Sequence, residues 1–218
     1  MVTKREQAER TRQAVLEAAA EEFDTNGYVG GSMGSIAARL GLTKGSVAYH
    51  YTSKANLAAA IVEEEVTQIQ QIIDAVHARG LHGIDALIVA IDDITLRADT
   101  DVIFRAAFRL NREHTVIDAE LPRPHLLWMG HIERFLQEAQ QRGEVSATLN
   151  TATAARAVAA TFLGEYQLTH ELDTHGDHVA GFAAMWEYLL LSFGADPTHA
   201  ISRTPGSSPA LPPVQNPA

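Results

Sequence analysis

Residues 32–50 of this chain read SMGSIAARLGLTKGSVAYH and contain two short helical patterns separated by a glycine. Ser32 and Thr43 are typical N-cap residues, because their hydroxyls can accept a hydrogen bond from a free backbone N–H in the first turn of a helix. Gly41 lies between the two patterns and can adopt the left-handed conformation that a tight turn requires. The stretch therefore predicts one short helix on each side of Gly41.

The spacing of three small or aliphatic residues indicates that these two helices pack against each other. Ala37 lies where the helices approach closely, Gly41 supplies the turn four residues later, and Val47 packs back into the angle after six more. Alanine, glycine and an aliphatic residue at this spacing form the helix-turn-helix signature, whose second helix enters the major groove of DNA. We predict its helices at 33–40 and 43–51.

The second of these helices would contact DNA. Its N-terminus presents free backbone N–H groups that favour phosphate, and Lys44 adds a positive charge there. Gly45 would let the backbone approach the duplex, and Ser46 can reach a base edge. Because few of these side chains read bases, we expect DNA shape and half-site spacing to add specificity. The predicted DNA-binding residues are Ser32, Thr43, Lys44, Gly45, Ser46, Tyr49, His50 and Lys54.

The rest of the chain also shows helical periodicity, with no strand-like alternation of any length. Asn26 and Gly27 are typical of a helix end, and Ser53 is a plausible N-cap for the helix that follows. We therefore predict an all-α fold. The helices predicted outside the motif span 9–26, 54–73, 84–98, 119–141, 151–172 and 179–193.

Charge is distributed unevenly along the chain. The net charge of −10 disfavours nucleic-acid binding if it is averaged over all 218 residues. However, residues 1–54 carry seven basic and six acidic side chains, whereas residues 55–218 carry ten basic and 21 acidic ones. A near-neutral N-terminal segment can present a local positive surface to phosphates while an acidic remainder favours solubility.

Composition also bears on the cellular compartment and on the C-terminal end. The chain has no cysteine, which excludes disulfides and thiolate metal sites. We find no apolar run long enough to span a membrane and no signal-peptide pattern, so we expect a soluble, cytoplasmic protein. Six of the eight prolines lie within residues 197–218, a composition typical of a disordered tail.

Two patterns between Phe23 and Leu57 read F-D-x-N-G-Y and S-x-x-x-I-A-x-x-L-G-L-T-K-G-S-V-x-Y-H-Y-x-S-K-x-x-L. They resemble the N-terminal domain of TetR-type repressors, and in detail that of the γ-butyrolactone receptor branch. The branch usually carries an aromatic residue where this chain has Ala48, so we expect one stacking or methyl contact to DNA to be missing, while the phosphate-anchoring residues remain. A looser similarity to the C-terminal domain of the branch covers Leu126-Leu127-Trp128, Gly143-Glu144-Val145, Phe162-Leu163-Gly164 and Met185-Trp186.

The resemblance implies a repressor that binds a pseudo-palindromic, double-stranded operator as a homodimer. A small signalling molecule of the lactone or furan type would bind the C-terminal domain and release the operator. The fold implied has at least nine helices, with a two-helix dimer interface near the C-terminus. The predicted organisation is a helix-turn-helix domain at 1–54, a helical ligand-binding and dimerisation domain at 55–196, and a tail at 197–218.

Candidate effector contacts lie in the predicted second domain. The resemblance implies that Trp128 caps the lactone pocket, although a large aromatic side chain is also a common core anchor. We expect the hydroxyl of Thr161 to be buried, where it needs either a backbone carbonyl one turn back or a ligand oxygen. Four further apolar residues could line the same cavity or belong to the core: Phe104, Phe108, Leu87 and Ile91.

Two other chemistries are weakly indicated. His170, His175 and His178 lie near Asp173 and Asp177, but their spacing matches no standard metal site, so we predict no metal.

Ser46 and His50 lie four residues apart, yet no third residue orients the histidine, so we predict no enzymatic activity and no cofactor. The alternatives are a regulator of the same fold with an unrelated effector, and a small-molecule binding protein without operator function.

Overall fold

The computed structural model describes residues 3–171 and 178–196, and the regular elements among the described residues are all helices, without any strand. This confirms the predicted all-α class. The predicted tail and most of the histidine-containing loop lie outside the described residues. The elements are α1 (Lys4–Gly30), α2 (Met33–Arg39), α3 (Lys44–His50), α4 (Lys54–Ala78), α5 (Gly83–Thr100), α6 (Val102–Arg112), a 3-10 turn (His114–Val116), α7 (Pro124–Gln141), α8 (Thr151–Glu171) and α9 (His178–Phe193).

The chain divides into two compact units. The first unit comprises residues 1–70 and 96–124, and the second comprises 71–95 and 125–218. This division differs from the predicted boundary at residue 54, because the beginning of α4 and the whole of α6 pack with the N-terminal helices. The first unit is therefore larger than the predicted helix-turn-helix domain.

The core of the first unit is formed by one face of α1 and the helices around it. Phe23 of α1, Ile36 of α2 and Val47 of α3 are fully buried, together with Leu57 and Ile61 of α4. Burying an aliphatic or aromatic side chain of this size contributes roughly 1.5–3 kcal/mol. These five side chains fix the helix-turn-helix pair on α1 and α4.

Helix α1 changes direction shortly before the helix-turn-helix pair. Gly27 has φ 70° and ψ 176°, a conformation that interrupts the helix near its C-terminal end. The predicted break at this glycine is confirmed, although the helix resumes as far as Gly30.

The two helices of the motif begin and end within one residue of the predicted bounds. Ser32 Oγ accepts a hydrogen bond from Ser35 N at 3.0 Å, and Thr43 Oγ1 accepts one from Ser46 N at 3.1 Å. Gly41 has φ 64°, in the left-handed region. Since all three local signals are satisfied, the prediction of a capped pair of helices is confirmed.

Helix α6 is missing from the predicted set of helices. Asp101 caps it, because its carboxylate accepts a hydrogen bond from Ile103 N at 2.8 Å. Ile103, Ala107 and Leu110 then recur at helical spacing and are buried against the core of the first unit. The same pattern was present in the sequence and could have predicted this helix.

Helix α7 begins at Pro124, five residues later than predicted. Proline is favoured in the first turn of a helix, because it has no N–H to leave unpaired there. It also disfavours helical backbone at the preceding residue, here Arg123. The predicted start near residue 119 is therefore wrong.

The second unit has an aromatic core of its own. The ring of Phe162 lies 4.8 Å from that of Trp128 and 5.4 Å from that of Phe182, measured between centroids. Ser146 N donates to Phe193 O, which ties the loop after α7 to the end of α9. Within the described part of the chain, no helix combines the length and the apolar character that a membrane span needs.

Candidate functional site

Helix α3 is anchored to the core of the first unit by one buried residue, and most of its other residues are exposed. Val47 is fully buried, whereas Tyr49 is 83% exposed. Lys44, Gly45 and Ser46 are also exposed. The structure therefore brings the predicted DNA contacts of this helix together on one solvent-facing surface.

The hydroxyl groups at the start of α3 bond to each other. Thr43 Oγ1 lies 2.8 Å from Ser46 Oγ, in addition to capping Ser46 N. A base contact by Ser46 would require its hydroxyl to exchange this partner. Ser32 is engaged in the same way at the start of α2, where its Oγ lies 2.7 Å from Ser35 Oγ.

Lys54 has partners within the chain. Its Nζ donates to Tyr28 O at 2.7 Å and to Gly31 O at 3.1 Å, and it lies 4.2 Å from the centroid of the Tyr28 ring. These contacts tie the end of α1 to the start of α4. The predicted contact of Lys54 with a phosphate therefore competes with three intramolecular interactions.

His50 is half-buried at the end of α3 and packs edge-on against Tyr49, with ring centroids 5.2 Å apart. It borders an open groove of the first unit with a volume of about 430 Å³, which Arg12 and Tyr51 also line. The Arg12 guanidinium lies 4.9 Å from the centroid of the Tyr51 ring. Burial raises the pKa of Tyr51, so its phenol stays protonated.

The end of α1 is held by charged side chains of α6 and of its C-cap residue Glu113, which the sequence analysis did not single out. Arg109 Nη1 donates to Asp24 O at 2.7 Å, and its Nε donates to Glu113 Oε1 at 3.1 Å. Glu113 Oε2 accepts from Tyr28 N at 2.6 Å, and Arg105 Nε donates to Asp24 Oδ2 at 3.0 Å. We call this set of five residues the clasp.

The clasp surrounds the break in α1. A Cβ atom added at Gly27 would lie 2.7 Å from Glu113 Oε1 and 2.8 Å from Arg109 Nη2. Both the positive φ and the lack of a side chain are therefore needed at this position. The clasp thus fixes the last turn of α1, from which the chain enters the helix-turn-helix pair.

The predicted effector contacts fall in both units. In the second unit, Trp128 is 5% exposed, and Leu87 and Ile91 are buried. In the first unit, Phe104 is fully buried, and its ring centroid lies 5.8 Å from that of Phe108. Their roles in binding an effector remain predictions.

Thr161 does not have the environment that the sequence predicts. Its side chain is exposed, and its hydroxyl donates to Ala157 O at 2.8 Å. The expectation of a buried hydroxyl is therefore wrong. Of the two partners considered for it, the backbone carbonyl one turn back is the one present.

Two buried polar side chains of α4 and a half-buried one of α6 were not predicted. Glu65 is 1% exposed, and its Oε2 accepts from Asn111 Nδ2 at 3.0 Å. Burial raises the pKa of Glu65 to about 8, despite the hydrogen bond from Asn111. Gln68 lies one turn further along α4 and is 6% exposed. We call Glu65, Gln68 and Asn111 the polar cluster.

Nothing in the described part of the chain supports a metal site, because no three side chains among its histidines, aspartates and glutamates are grouped so that they could hold an ion. The loop containing Asp173, His175 and Asp177 lies outside the described residues.

Comparison with known proteins identifies the family of this chain. Residues 15–61 match the model for bacterial regulatory proteins of the tetR family. A solved structure described as the molecular basis for control of antibiotic production by bacterial hormones is 32% identical, with a TM-score of 0.78. The alignment covers 85% of this chain and 98% of that one. The chain belongs to the TetR family.

Within the TetR family, the chain is similar to autoregulator receptors. The A-factor receptor protein of Streptomyces griseus is 28% identical over 192 residues, which cover 88% of this chain and 66% of that receptor. The chain thus spans just under two thirds of that relative. The solved structure of CprB from Streptomyces coelicolor with its biological operator sequence is 25% identical, with a TM-score of 0.74, and the alignment covers 90% and 94% of the two chains.

The family match includes every residue predicted to contact DNA. It begins at Val15 in α1 and ends at Ile61 in α4, so it contains the whole interval from Ser32 to Lys54. It leaves out α6, which supplies the clasp, and the polar cluster.

Proposed function

We propose that this TetR-family protein is a transcriptional repressor that binds a pseudo-palindromic operator as a homodimer and leaves it when a small effector binds. The observation that carries the proposal is the exposed face of α3 above its buried anchor, Val47. Each subunit would place α3 in one of two successive major grooves. The protein would act in the cytoplasm, where chromosomal DNA is accessible to it.

The C-terminal helices support the homodimer. Leu163 and Leu168 on α8, and Tyr188 and Leu191 on α9, are large apolar side chains that are exposed in a single chain. Tyr188 is 75% exposed, which is costly in water unless another surface covers it. A two-fold interface between copies of these helices would cover all four and match the symmetry of a pseudo-palindrome.

The effector is proposed to be a neutral, largely apolar molecule of the lactone or furan class. The resemblance of the motifs between Phe23 and Leu57 to the γ-butyrolactone receptor branch supports this class. An effector releases DNA if it binds more tightly to a conformation in which the two α3 helices do not fit successive grooves. A coupling free energy of about 1–3 kcal/mol is typical of such linkage.

Operator binding should depend on the charge of Lys44. We expect the wild-type protein to bind the DNA upstream of its own coding region with steep salt dependence, because phosphate contacts release counterions. Lys44→Ala should weaken binding about tenfold and reduce the slope of log affinity against log salt by about one. Fluorescence anisotropy with labelled DNA over a salt series measures both.

The matched control is Lys44→Arg, which keeps the charge at the N-terminus of α3 and should retain most of the salt slope. A lack of binding by the wild-type protein at low salt, to this DNA and to selected random sequences, would contradict the proposal. It would favour the second candidate function, a small-molecule binding protein without an operator.

Effector release should depend on Trp128. We expect Trp128→Phe to keep operator affinity and to reduce release by 2-alkanoyl-γ-butyrolactones at least tenfold, because the smaller ring contacts the ligand less well. Phenylalanine keeps an aromatic partner for Phe162 and avoids the cost of truncation to alanine, which is about 3–5 kcal/mol. Release is measured by titrating the lactone into the protein–DNA complex.

The control is Trp186→Phe, which makes the same change at another buried tryptophan of the second unit. Equal losses of release in both variants would indicate a general effect on the core. Loss of DNA binding in Trp128→Phe alone would contradict separate sites for DNA and effector.

A further inference from the structure

The first turns of α1 extend beyond the core of the first unit. The first buried side chain of this helix is Val15, and residues 3–14 are exposed or half-buried. A capping box closes the free end, in which Glu6 N donates to Thr3 Oγ1 at 3.2 Å and Thr3 N donates to Glu6 Oε2 at 2.7 Å. We call residues 3–14 the α1 extension. It presents about three turns of ordered helix outside the core.

The α1 extension is positively charged, although the net charge of the whole chain is −10. It holds two acidic side chains, and both have partners within it. Glu6 belongs to the capping box, and Glu9 Oε1 lies 3.6 Å from Arg12 Nη1. Its basic side chains are Lys4, Arg5, Arg10 and Arg12. A local positive surface on an acidic protein is complementary to the phosphates of nucleic acid.

Two of these arginines continue the face of α1 that enters the core. Arg5, Arg12 and Ala19 follow each other at intervals of seven residues, which is close to two helical turns. Ala19 is fully buried, and so is Val15, three residues after Arg12. Arg10 lies two residues before Arg12 and therefore points to another side of the helix. The core-facing side of α1 thus extends outward as Arg5 and Arg12.

This face leads to the end of α3. The Arg12 guanidinium lies 4.9 Å from the centroid of the Tyr51 ring, and Arg12 lines the same groove as His50. The His50 ring packs against that of Tyr49, which is exposed on the side of α3 proposed to face DNA. The surface proposed to contact DNA is therefore continuous from α3 through His50 to Arg12.

We propose that Arg5 and Arg12 bind backbone phosphates of the duplex beside the major groove that α3 enters. Arginine suits this role, because its guanidinium can donate two parallel hydrogen bonds to one phosphate. Such contacts fix the orientation of a protein on the duplex without reading its sequence. The inference rests on the proposed function, because it extends the surface with which the same protein contacts DNA.

The test measures binding of the full-length protein to two duplexes of equal length over a salt series. One is the DNA upstream of its own coding region, and the other has a random sequence. Arg5→Ala and Arg12→Ala should each reduce the slope of log affinity against log salt by about one per bound subunit, on both duplexes. The ratio of the two affinities should stay within about twofold of the wild-type ratio, since phosphate contacts carry no sequence information. Fluorescence anisotropy measures both quantities.

Arg10→Ala is the matched control, because it removes the same charge from another side of the α1 extension and should keep the wild-type slope. Arg12→Lys keeps the charge and should retain most of the slope. Arg5 is exposed, so Arg5→Ala should leave the melting temperature unchanged. A reduced slope in that variant therefore reports a lost DNA contact and not a defect in the fold.

Three results would overturn the inference. A wild-type slope in either Arg5→Ala or Arg12→Ala would leave an acidic protein surface as the occupant of this face. An equal reduction in Arg10→Ala would reflect net charge alone, and a lower ratio of the two affinities would indicate an effect on α3.

The random duplex separates this inference from the proposed function. Salt-dependent binding to random DNA that requires Arg5, without preference for any operator, contradicts the proposed function alone. An operator preference with unchanged slopes in the arginine variants contradicts the inference alone. A wild-type protein that binds neither duplex at low salt contradicts both.

Discussion

Glu65→Gln is expected to stabilise the protein at pH 8 by on the order of 4 kcal/mol and to remove most of the fall in stability above pH 5. In the folded chain the pKa of this carboxyl is about 8, against an ordinary value of 4.5. Between these two pH values the folded chain keeps a proton that the unfolded chain releases. The free energy of unfolding therefore decreases as pH rises, by up to about 1.4 kcal/mol per pH unit.

The sign of this dependence is what distinguishes Glu65 from an ordinary paired carboxylate. Its contribution is fully present below pH 4.5, decreases through the interval and levels off above pH 8. Urea denaturation at pH 5, 6, 7 and 8 measures it. Glu63→Gln, at an exposed position of the same helix, is the control and should leave the slope unchanged. A Glu65→Gln profile parallel to the wild type would contradict the assignment of a buried, protonated carboxyl.

The elements that the sequence predicts well are those that local chemistry determines. Ser32 and Thr43 cap their helices through hydrogen bonds to residues only three positions later in the sequence. Gly41 adopts its positive φ because it has no side chain. Signals of this kind are complete within a short window of sequence, since both partners lie inside it.

The clasp could not be predicted in the same way. Tyr28 and Glu113 are 85 residues apart in sequence, and Arg105 and Asp24 are 81 apart. In the sequence, these arginines and glutamates look like the solvated face of any helix. Only the packing of α6 along α1 brings them to the break at Gly27, and no local pattern specifies that packing.

Burial of individual side chains was the least predictable property. Thr161 lies in a helix rich in alanine, where small side chains on all sides leave no apolar stripe to mark the buried face. Glu65 shows the opposite case. It follows Glu63 and Glu64, a run of charge that normally indicates a solvated surface, yet it is buried against Asn111.

Helix α6 contacts two other helices of the first unit, α4 and α1. On one face, Asn111 contacts Glu65 of α4. On another, Arg109 donates to Asp24 O near the end of α1, from which the chain enters the helix-turn-helix pair. The clasp therefore fixes the position from which the chain enters α2 and α3, so its loss should change operator binding.

Arg109→Met should destabilise the first unit by about 2–3 kcal/mol and weaken operator binding at least tenfold. The substitution keeps most of the apolar stem but removes the donors to Asp24 O, Thr25 O and Glu113 Oε1, leaving these acceptors unpaired at a partly buried site. Operator affinity should fall because the last turn of α1 loses its fixed position. Urea denaturation and anisotropy with operator DNA measure the two effects.

The matched control is Arg112→Met, at an exposed position of the same helix, which should change both quantities by less than about 0.5 kcal/mol. Glu113→Gln keeps an acceptor for Tyr28 N but removes the charge that faces Arg109, so its effect should fall between the two. If Arg109→Met lowers stability yet binds the operator like the wild type, the clasp stabilises the fold without positioning α3. If both arginine variants lose affinity equally, the loss reflects the overall positive charge of α6, because Arg109 bonds to the end of α1 and the exposed Arg112 is not part of the clasp.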